Sequence, residues 1–350
     1  MAPSYTAAAA DHDTIGELSS VAQSQVEALL ANPKTARAAD YAFKSDTFAS
    51  LPVEQREKFI DVMAKGDEVT VKLMAISCEK AGDLYAERAS DGSTMLDNLE
   101  QMASASGAKQ FVNYTLADMI KPDRIWQGDA PTCTVSTMQY ELAKEKPAEY
   151  ARVMTGLTVV GNAKLAGGGV IQTQVGDALL HSILSKDQRS PTEAVFQSAA
   201  MEFANGADKY DLAARQSTHA NEDGTTRTYK GLYGEQIRDM VGQLFGIDYT
   251  TTRIENDEQA AAALATLNKS NTPNRPVLVD LVIDDKHNHC VAFEGFSNGR
   301  VYFRDPQTGK KDSITEQQFL ATAAAVHVAP MPVPKPKRRS PKMMMMMADE

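Results

Sequence analysis

Cysteine is scarce: Cys78, Cys133 and Cys290 are the three thiols in 350 residues. An odd count leaves at least one unpaired, which excludes a disulfide-built scaffold and fits a reducing compartment or a free reactive thiol. Long apolar runs are missing too. The longest, such as Val277 to Ile283, fall far short of the about 20 residues that span a bilayer. The first residues, MAPSYTAAAADHDT, carry neither a basic n-region nor an apolar h-region, so no signal peptide is expected. A cytoplasmic protein with no membrane association follows, with export by a route that needs no such signal left open. Positive charge is in deficit, 36 Lys and Arg against 46 Asp and Glu, so attraction of the folded part to nucleic acid is not expected. The rest is ordinary: 43% hydrophobic and 23% charged residues describe a globular chain, long enough at roughly 150 residues per domain for two domains.

Residues 1–13 are expected to be disordered, and 14–121 to form a helical domain. Apolar residues recur there at steps of three and four. Ile15, Leu18, Val21, Leu29 and Leu30 mark a first helix. Leu51-Pro52 opens a second, with Phe59, Ile60 and Met63, that stops at Gly66. Met74, Cys78, Ala81 and Tyr85 share one face of a third, and Leu96, Leu99 and Met102 begin another after the turn Ser90-Asp91-Gly92. This half offers no glycine-rich phosphate loop and no metal-ligand spacing.

After Lys121-Pro122 the pattern becomes mixed. Leu157-Thr158-Val159-Val160 and Val170-Ile171-Gln172-Thr173 suggest short strands or a hairpin around a flexible Gly167-Gly168-Gly169 loop. Helical spacing returns at Pro191 to Ala204, Gly234 to Phe245 and Asp257 to Leu267. Strands are expected at Val277 to Ile283, His289 to Phe296 and Val301 to Arg304. The last two flank Asn298-Gly299, the strongest short hairpin signal because both turn residues must take positive φ. Thr315-Glu316-Gln317-Gln318 has capping-box spacing and starts one more helix. The fold should end near Val328. Beyond it, residues 329–350 are proline-rich and basic with a run of five methionines, and read as a solvated tail or a localisation signal.

The chemistry concentrates in two stretches. In Trp126-Gln127-Gly128-Asp129-Ala130-Pro131-Thr132-Cys133 the loop formers end at Pro131, and a helix runs from Cys133 to about Lys144. Cys133 therefore sits at a helix N-terminus, where unpaired N–H groups and the positive dipole end favour the thiolate. Gln127 offers an amide donor for an oxyanion beside that sulfur. A thiol nucleophile needs a base, and the base an orienting acceptor. His289 opens a strand, and the hairpin returns to deliver Asp305 at its far end. Residues equally distant from the turn face each other, and the even separation of the two is expected to put their side chains on one face.

Competing sites are weaker. His287, His289 and Cys290 do not make a zinc site, since Cys290 points opposite to both histidines and no fourth ligand follows at the required spacing. Gly309-Lys310 lacks the preceding glycine of a P-loop. Asn221-Glu222-Asp223-Gly224 lacks the spacing of a calcium loop. His181 and His219 have no visible partner and read as surface residues. No cofactor and no metal are called for.

In Gln127, Cys133, His289 with Cys290-Val291-Ala292, and Asp305, taken in that order, the chain resembles the papain-like cysteine peptidases, with the calpain-like catalytic core the nearest branch. The resemblance covers about residues 122–328. It implies an α+β fold in which a two-lobed catalytic domain, one lobe helical and one of antiparallel β-structure, follows the helical domain. It also implies a Cys133-His289-Asp305 triad, an oxyanion site built by Gln127 with the Cys133 N–H, and substrate contacts from Trp126 and Gly128. The substrate would be a protein or peptide, and the helical domain would dock substrate, block the cleft or hold a partner. An aspartate as third member also occurs in transglutaminase-like acyltransferases. Peptide hydrolysis, transamidation or deamidation at protein glutamines, and a catalytically inactive binding scaffold therefore all stay open.

Overall fold

A computed structural model describes residues 15–79, 83–173, 189–211, 214–221, 224–284 and 287–330. Eight helices come first: α1 (Ser20–Ala31), α2 (Ala36–Phe43), α3 (Asp46–Ser50), α4 (Val53–Lys65), α5 (Glu68–Ser77), α6 (Asp83–Ala86), α7 (Met95–Ser104) and α8 (Lys109–Ile120). Their ends are set by local chemistry. Asp67 with Thr70 and Thr94 with Asp97 form capping boxes at the starts of α5 and α7, each satisfying backbone donors that helix geometry leaves free. Gly66 ends α4. Two expectations are corrected here. The helix from Met74 to Tyr85 is not continuous, because the chain turns at Cys78-Glu79 and resumes at Asp83, with Ala81 outside the described residues. Its two pieces still share a core, with the Ser77 and Tyr85 hydroxyls in contact. Val21, expected on the buried stripe of α1, is 66% exposed, while Ala22, Val26 and Leu29 are buried.

A 3-10 turn (Pro122–Arg124) leads to α9 (Cys133–Glu145) and α10 (Pro147–Thr155). Leu157 to Val160, expected as a strand, is instead a π-helical turn that prolongs α10 and stops at Gly161 in the left-handed region (φ 86°). The hairpin that follows pairs β1 (Asn162–Lys164) with β2 (Val170–Gln172). Its Gly167 to Gly169 loop is tied down, since Gly167 N–H donates to Gln243 O and Gly169 N–H to Gln243 Oε1, both at 2.8 Å. Then come α11 (Pro191–Asn205), the meander β3 (Lys209–Asp211), β4 (Gln216–Ala220) and β5 (Thr226–Tyr229), and α12 (Gly234–Phe245). His219, expected to lack a partner, meets Asp208 at 2.7 Å.

The remainder is an antiparallel six-stranded sheet with two helices: β6 (Thr250–Arg253), α13 (Asp257–Ser270), β7 (Leu278–Asp284), β8 (His287–Ser297), β9 (Arg300–Asp305), β10 (Lys310–Thr315), α14 (Glu316–Thr322) and β11 (Ala323–Val328), in the order β10-β9-β8-β7-β11-β6. The fold is thus α+β with antiparallel sheets. Two cores result. One runs without a break from Leu18 in the first helices through α9 to α12 and reaches Cys290 and Ala292; the other, with Val291, Phe293, Phe303 and Phe319, lies between the sheet and α13 and α14. Alternation along β8 sends Cys290 and Ala292 to the first core and Val291 and Phe293 to the second. The folded part also reaches slightly past Val328, since Ala329 is buried and Pro330 O accepts from Arg275. The two expected disordered segments otherwise fall outside the described residues, as does His181. Among the described residues no helix is long and apolar enough to cross a membrane.

Candidate active site

The hairpin joining β8 to β9 turns at Asn298 (φ 52°) and Gly299 (φ 69°), the double positive φ that the Asn-Gly pair demands. Register then matters more than the separation of two residues in sequence. Ser297 faces Arg300, and a regular ladder from there would set Asp305 opposite Ala292, on the other side of the sheet from His289. The expectation that equal distance from the turn pairs His289 with Asp305 is therefore wrong. What brings them together is a β-bulge. Between Phe293 opposite Phe303 and Gly295 opposite Tyr302, Glu294 is an extra residue on β8. Beyond it Ala292 faces Arg304, so the next step aligns Asp305 with Val291, one same-side position from His289. The two meet diagonally, with His289 Nε2 at 2.6 Å from Asp305 Oδ1. Asp305 is itself fixed: Gln307 N–H donates to Oδ1 at 2.8 Å and Thr308 Oγ1 to Oδ2 at 3.1 Å.

Cys133 is the first residue of α9, partly exposed, with a reduced thiol. The helix is held against β8 by Thr137 Oγ1, which donates to Cys290 O at 3.1 Å, and the Cys133 sulfur lies within interaction range of the His289 imidazole. The electrostatics agree with that contact. Burial pushes the Cys133 thiol up, but the hydrogen bond and charge of His289 and the Cys290 N–H outweigh it and leave its pKa below the ordinary 9.0. Burial disfavours charge on His289 as well, yet its bonds to Asp305 and Cys133 raise it from 6.5 to about 9. Asp305, pushed up by burial, is pulled below the ordinary carboxylate value chiefly by His289 and the Gln307 N–H. Their contact makes the Cys133 thiol more acidic and the His289 imidazole more basic, with Asp305 on the imidazole Nε2.

Gln127 is buried, and its N–H donates to Pro306 O at 2.8 Å, which ties its loop to the turn that follows Asp305. Its Nε2 donates to Ala130 O at 3.1 Å, while Oε1 has no partner among the described residues. That bond uses one of the amide's two hydrogens. Gly128 is buried and takes φ 60°, the left-handed conformation of the turn that the Ala130 N–H closes on Gln127 O. Trp126 is half-buried and lines a cleft with Tyr114, Arg124 and Glu193. Gly309 packs on it, where an added Cβ would lie 3.5 Å from Trp126 Cβ. The structure therefore brings Cys133, His289 and Asp305 together and puts Gln127 on the loop leading to Cys133, tied to the chain after Asp305. The His287 side chain lies outside the described residues; the Cys290 thiol is buried, which with the Asp280 carboxylate beside it drives its pKa well up.

Several contributing residues escaped the sequence reading. Arg304 is buried, stacks over Tyr140 with its guanidinium 5.2 Å from the ring centroid, and reaches the Asp123 carbonyl. Glu294, the bulge residue, accepts from Tyr140 OH at 2.9 Å and pairs with Lys311 at 2.8 Å. Gln197, wholly buried on α11, bonds to the residues just before Gln127 and just before Cys133. A polar amide within the apolar run Ala194-Val195-Phe196 to Met201 was the one available signal for it.

Compared with protein families and with curated proteins, the chain finds no matching family model and no matching protein.

Proposed function

We propose that the chain is a cysteine endopeptidase of the papain-like type, nearest in its core to the calpain-like branch. It hydrolyses peptide bonds through an acyl-enzyme on Cys133. The observation that carries this reading is the alignment of a helix-terminal thiol, an imidazole and a carboxylate delivered by elements more than 150 residues apart in the chain. Cys133 as thiolate attacks the scissile carbonyl. The negative oxygen that forms is met by the Cys133 N–H and the spare Gln127 amide hydrogen. His289, protonated in the resting pair, gives its proton to the leaving amine, and then accepts one from the water that cleaves the thioester. Asp305 keeps the imidazole turned, with Nε2 toward itself and the other nitrogen toward sulfur. No step calls for a metal or cofactor. Trp126 and Gly128 border the substrate path, and the helical segment of residues 14–121 restricts access to it or holds a protein partner.

The test is incubation of wild-type protein and Cys133→Ala with unfolded β-casein, reading new N-termini and free ammonia. New N-termini with wild type alone are expected. Ammonia without cleavage would replace hydrolysis by deamidation of glutamine side chains at the same site. Neither product, with wild type and variant alike, would leave the two-lobed unit as a binding scaffold.

A further inference from the structure

Gln197 uses its whole hydrogen-bonding capacity, half of it on the loop that carries the site. Its Oε1 accepts from Thr132 Oγ1 at 2.8 Å and from Arg189 Nη1 at 3.3 Å; its Nε2 donates to Trp126 O at 3.0 Å and to Gln139 Oε1 at 3.1 Å. A primary amide has two donors and two acceptor lone pairs, and all four are used, which also fixes which end is nitrogen. Trp126 precedes Gln127, and Thr132 precedes Cys133. One side chain thus grips both ends of the segment whose two functional groups must converge on a single carbonyl. Thr132 would ordinarily cap α9 with its hydroxyl, but makes no such cap and spends its proton on Gln197.

The amide is in turn oriented by a chain of bonds that all run in one direction. Thr132 donates to Gln197, Gln197 to Gln139, Gln139 Nε2 to Tyr150 OH at 2.9 Å, and Tyr150 OH to Asp118 Oδ2 at 2.7 Å. Each bond polarises the next, so such a series is stiffer than its members taken singly. Asp118 belongs to α8, and through this chain the N-terminal helices bear on the loop.

We propose that Gln197 is the positioning residue of the oxyanion site: it sets the spacing between Gln127 and the Cys133 N–H, while leaving the sulfur–imidazole pair to other contacts. This rests on the peptidase reading above and adds to it a division of labour. Thr137 on Cys290 O holds sulfur to histidine, whereas Gln197 holds the oxyanion donors to sulfur.

Two thiol reactions separate these functions. Alkylation of Cys133 by iodoacetamide creates no oxyanion and reports the thiolate–imidazolium pair. Reversible addition of N-acetyl-phenylalaninal makes a hemithioacetal whose oxygen needs the donors. Gln197→Glu keeps the acceptor for Thr132 but turns oxygen toward Trp126 O and Gln139 Oε1. Its aldehyde affinity is expected to fall about tenfold or more, as when an oxyanion donor is displaced, while the alkylation rate and its pH profile stay within about twofold of wild type. Thr132→Val, which loses one bond with no change of shape, should move the aldehyde alone in the same direction by a smaller factor. Gln127→Ala should reproduce the Gln197→Glu pattern. Unchanged aldehyde affinity in both Gln197→Glu and Thr132→Val, or a parallel fall in alkylation, overturns the proposal. Failure of wild-type Cys133 to alkylate ahead of Cys78 and Cys290 instead overturns the nucleophile assignment on which it stands.

Discussion

Removing the Asp305 carboxylate isolates the quantity on which the site depends. In the intact line His289 is raised from 6.5 to about 9 despite burial, with Asp305 first among the contacts that raise it. That rise of roughly 2.5 units is worth about 3 kcal/mol and is shared with Cys133. Because burial opposes the rise, the contacts together supply more than the net change, and if Asp305 supplies about half of it, Asp305→Ala should lower the proton affinity of His289 by at least about tenfold, and further if the thiolate is then lost. The sulfur responds in the opposite sense: with less positive charge beside it, Cys133 titrates higher. The pH range in which thiolate and imidazolium coexist therefore shrinks from both ends. Iodoacetamide alkylation of Cys133 against pH, followed by intact mass and peptide mapping, reads both limbs. Wild type should react fast from below pH 9 upward; Asp305→Ala should shift the lower limb toward higher pH and lose rate at neutrality by about tenfold. Asp305→Asn, which keeps an acceptor but not the charge, should fall between. A variant whose profile overlays the wild type would mean that Asp305 neither charges nor orients His289, and the argument would fail with it.

Other consequences can be checked separately. Inserting one alanine between Arg304 and Asp305 moves Asp305 from Val291 to Cys290 in the ladder, hence to the far side of the sheet from His289, and should abolish turnover, whereas Glu294→Ala keeps the register and should retain most of it; equal activity of the two would show that the register does not set the pairing. Asp118, Glu141 and Glu193 are raised, chiefly by burial, to about 6, about 7 and about 7. The folded state therefore holds protons that the unfolded chain has released. Their contribution to stability is full below their unfolded values near 4 and is lost as pH rises through 6 to 7, so the melting temperature should drop between about pH 4.5 and 8; a rise across that interval would contradict the assignment. His289 adds to the same trend above pH 6.5. Phe196, fully buried on α11 with its ring 6.1 Å from that of Tyr150, should cost about 3 to 5 kcal/mol when replaced by Ala, read as a lower urea midpoint at unchanged slope.

Local signals in the chain were strong wherever one interaction dominates. Asn298-Gly299 dictates its turn through the φ values it tolerates, and the Gly234 to Phe245 helix is bounded by Gly246 in the left-handed region. Cys133 at a helix start is legible because loop formers end just before it. What escaped depends on contacts between distant segments. A β-bulge adds one residue without any compositional mark, so parity along β8 and β9 named the right partner for His289 by the wrong register. Leu157 to Val160 is β-branched and apolar, yet α10 runs into it and the turn at Gly161 ends it, so packing of Leu157 overrides strand preference. The Gln197 amide is invisible for a related reason: its four partners lie on three other segments, and only the folded chain shows that they converge.

The account rests on sulfur as the acyl acceptor, and p-nitrophenyl acetate tests that most directly because it donates an acyl group with no need for a known substrate. Wild type should release a burst of nitrophenolate equal to the enzyme present and carry a single acetyl group on Cys133, which water then removes. Acetylation confined to lysines, or a burst that persists in Cys133→Ala, would contradict it.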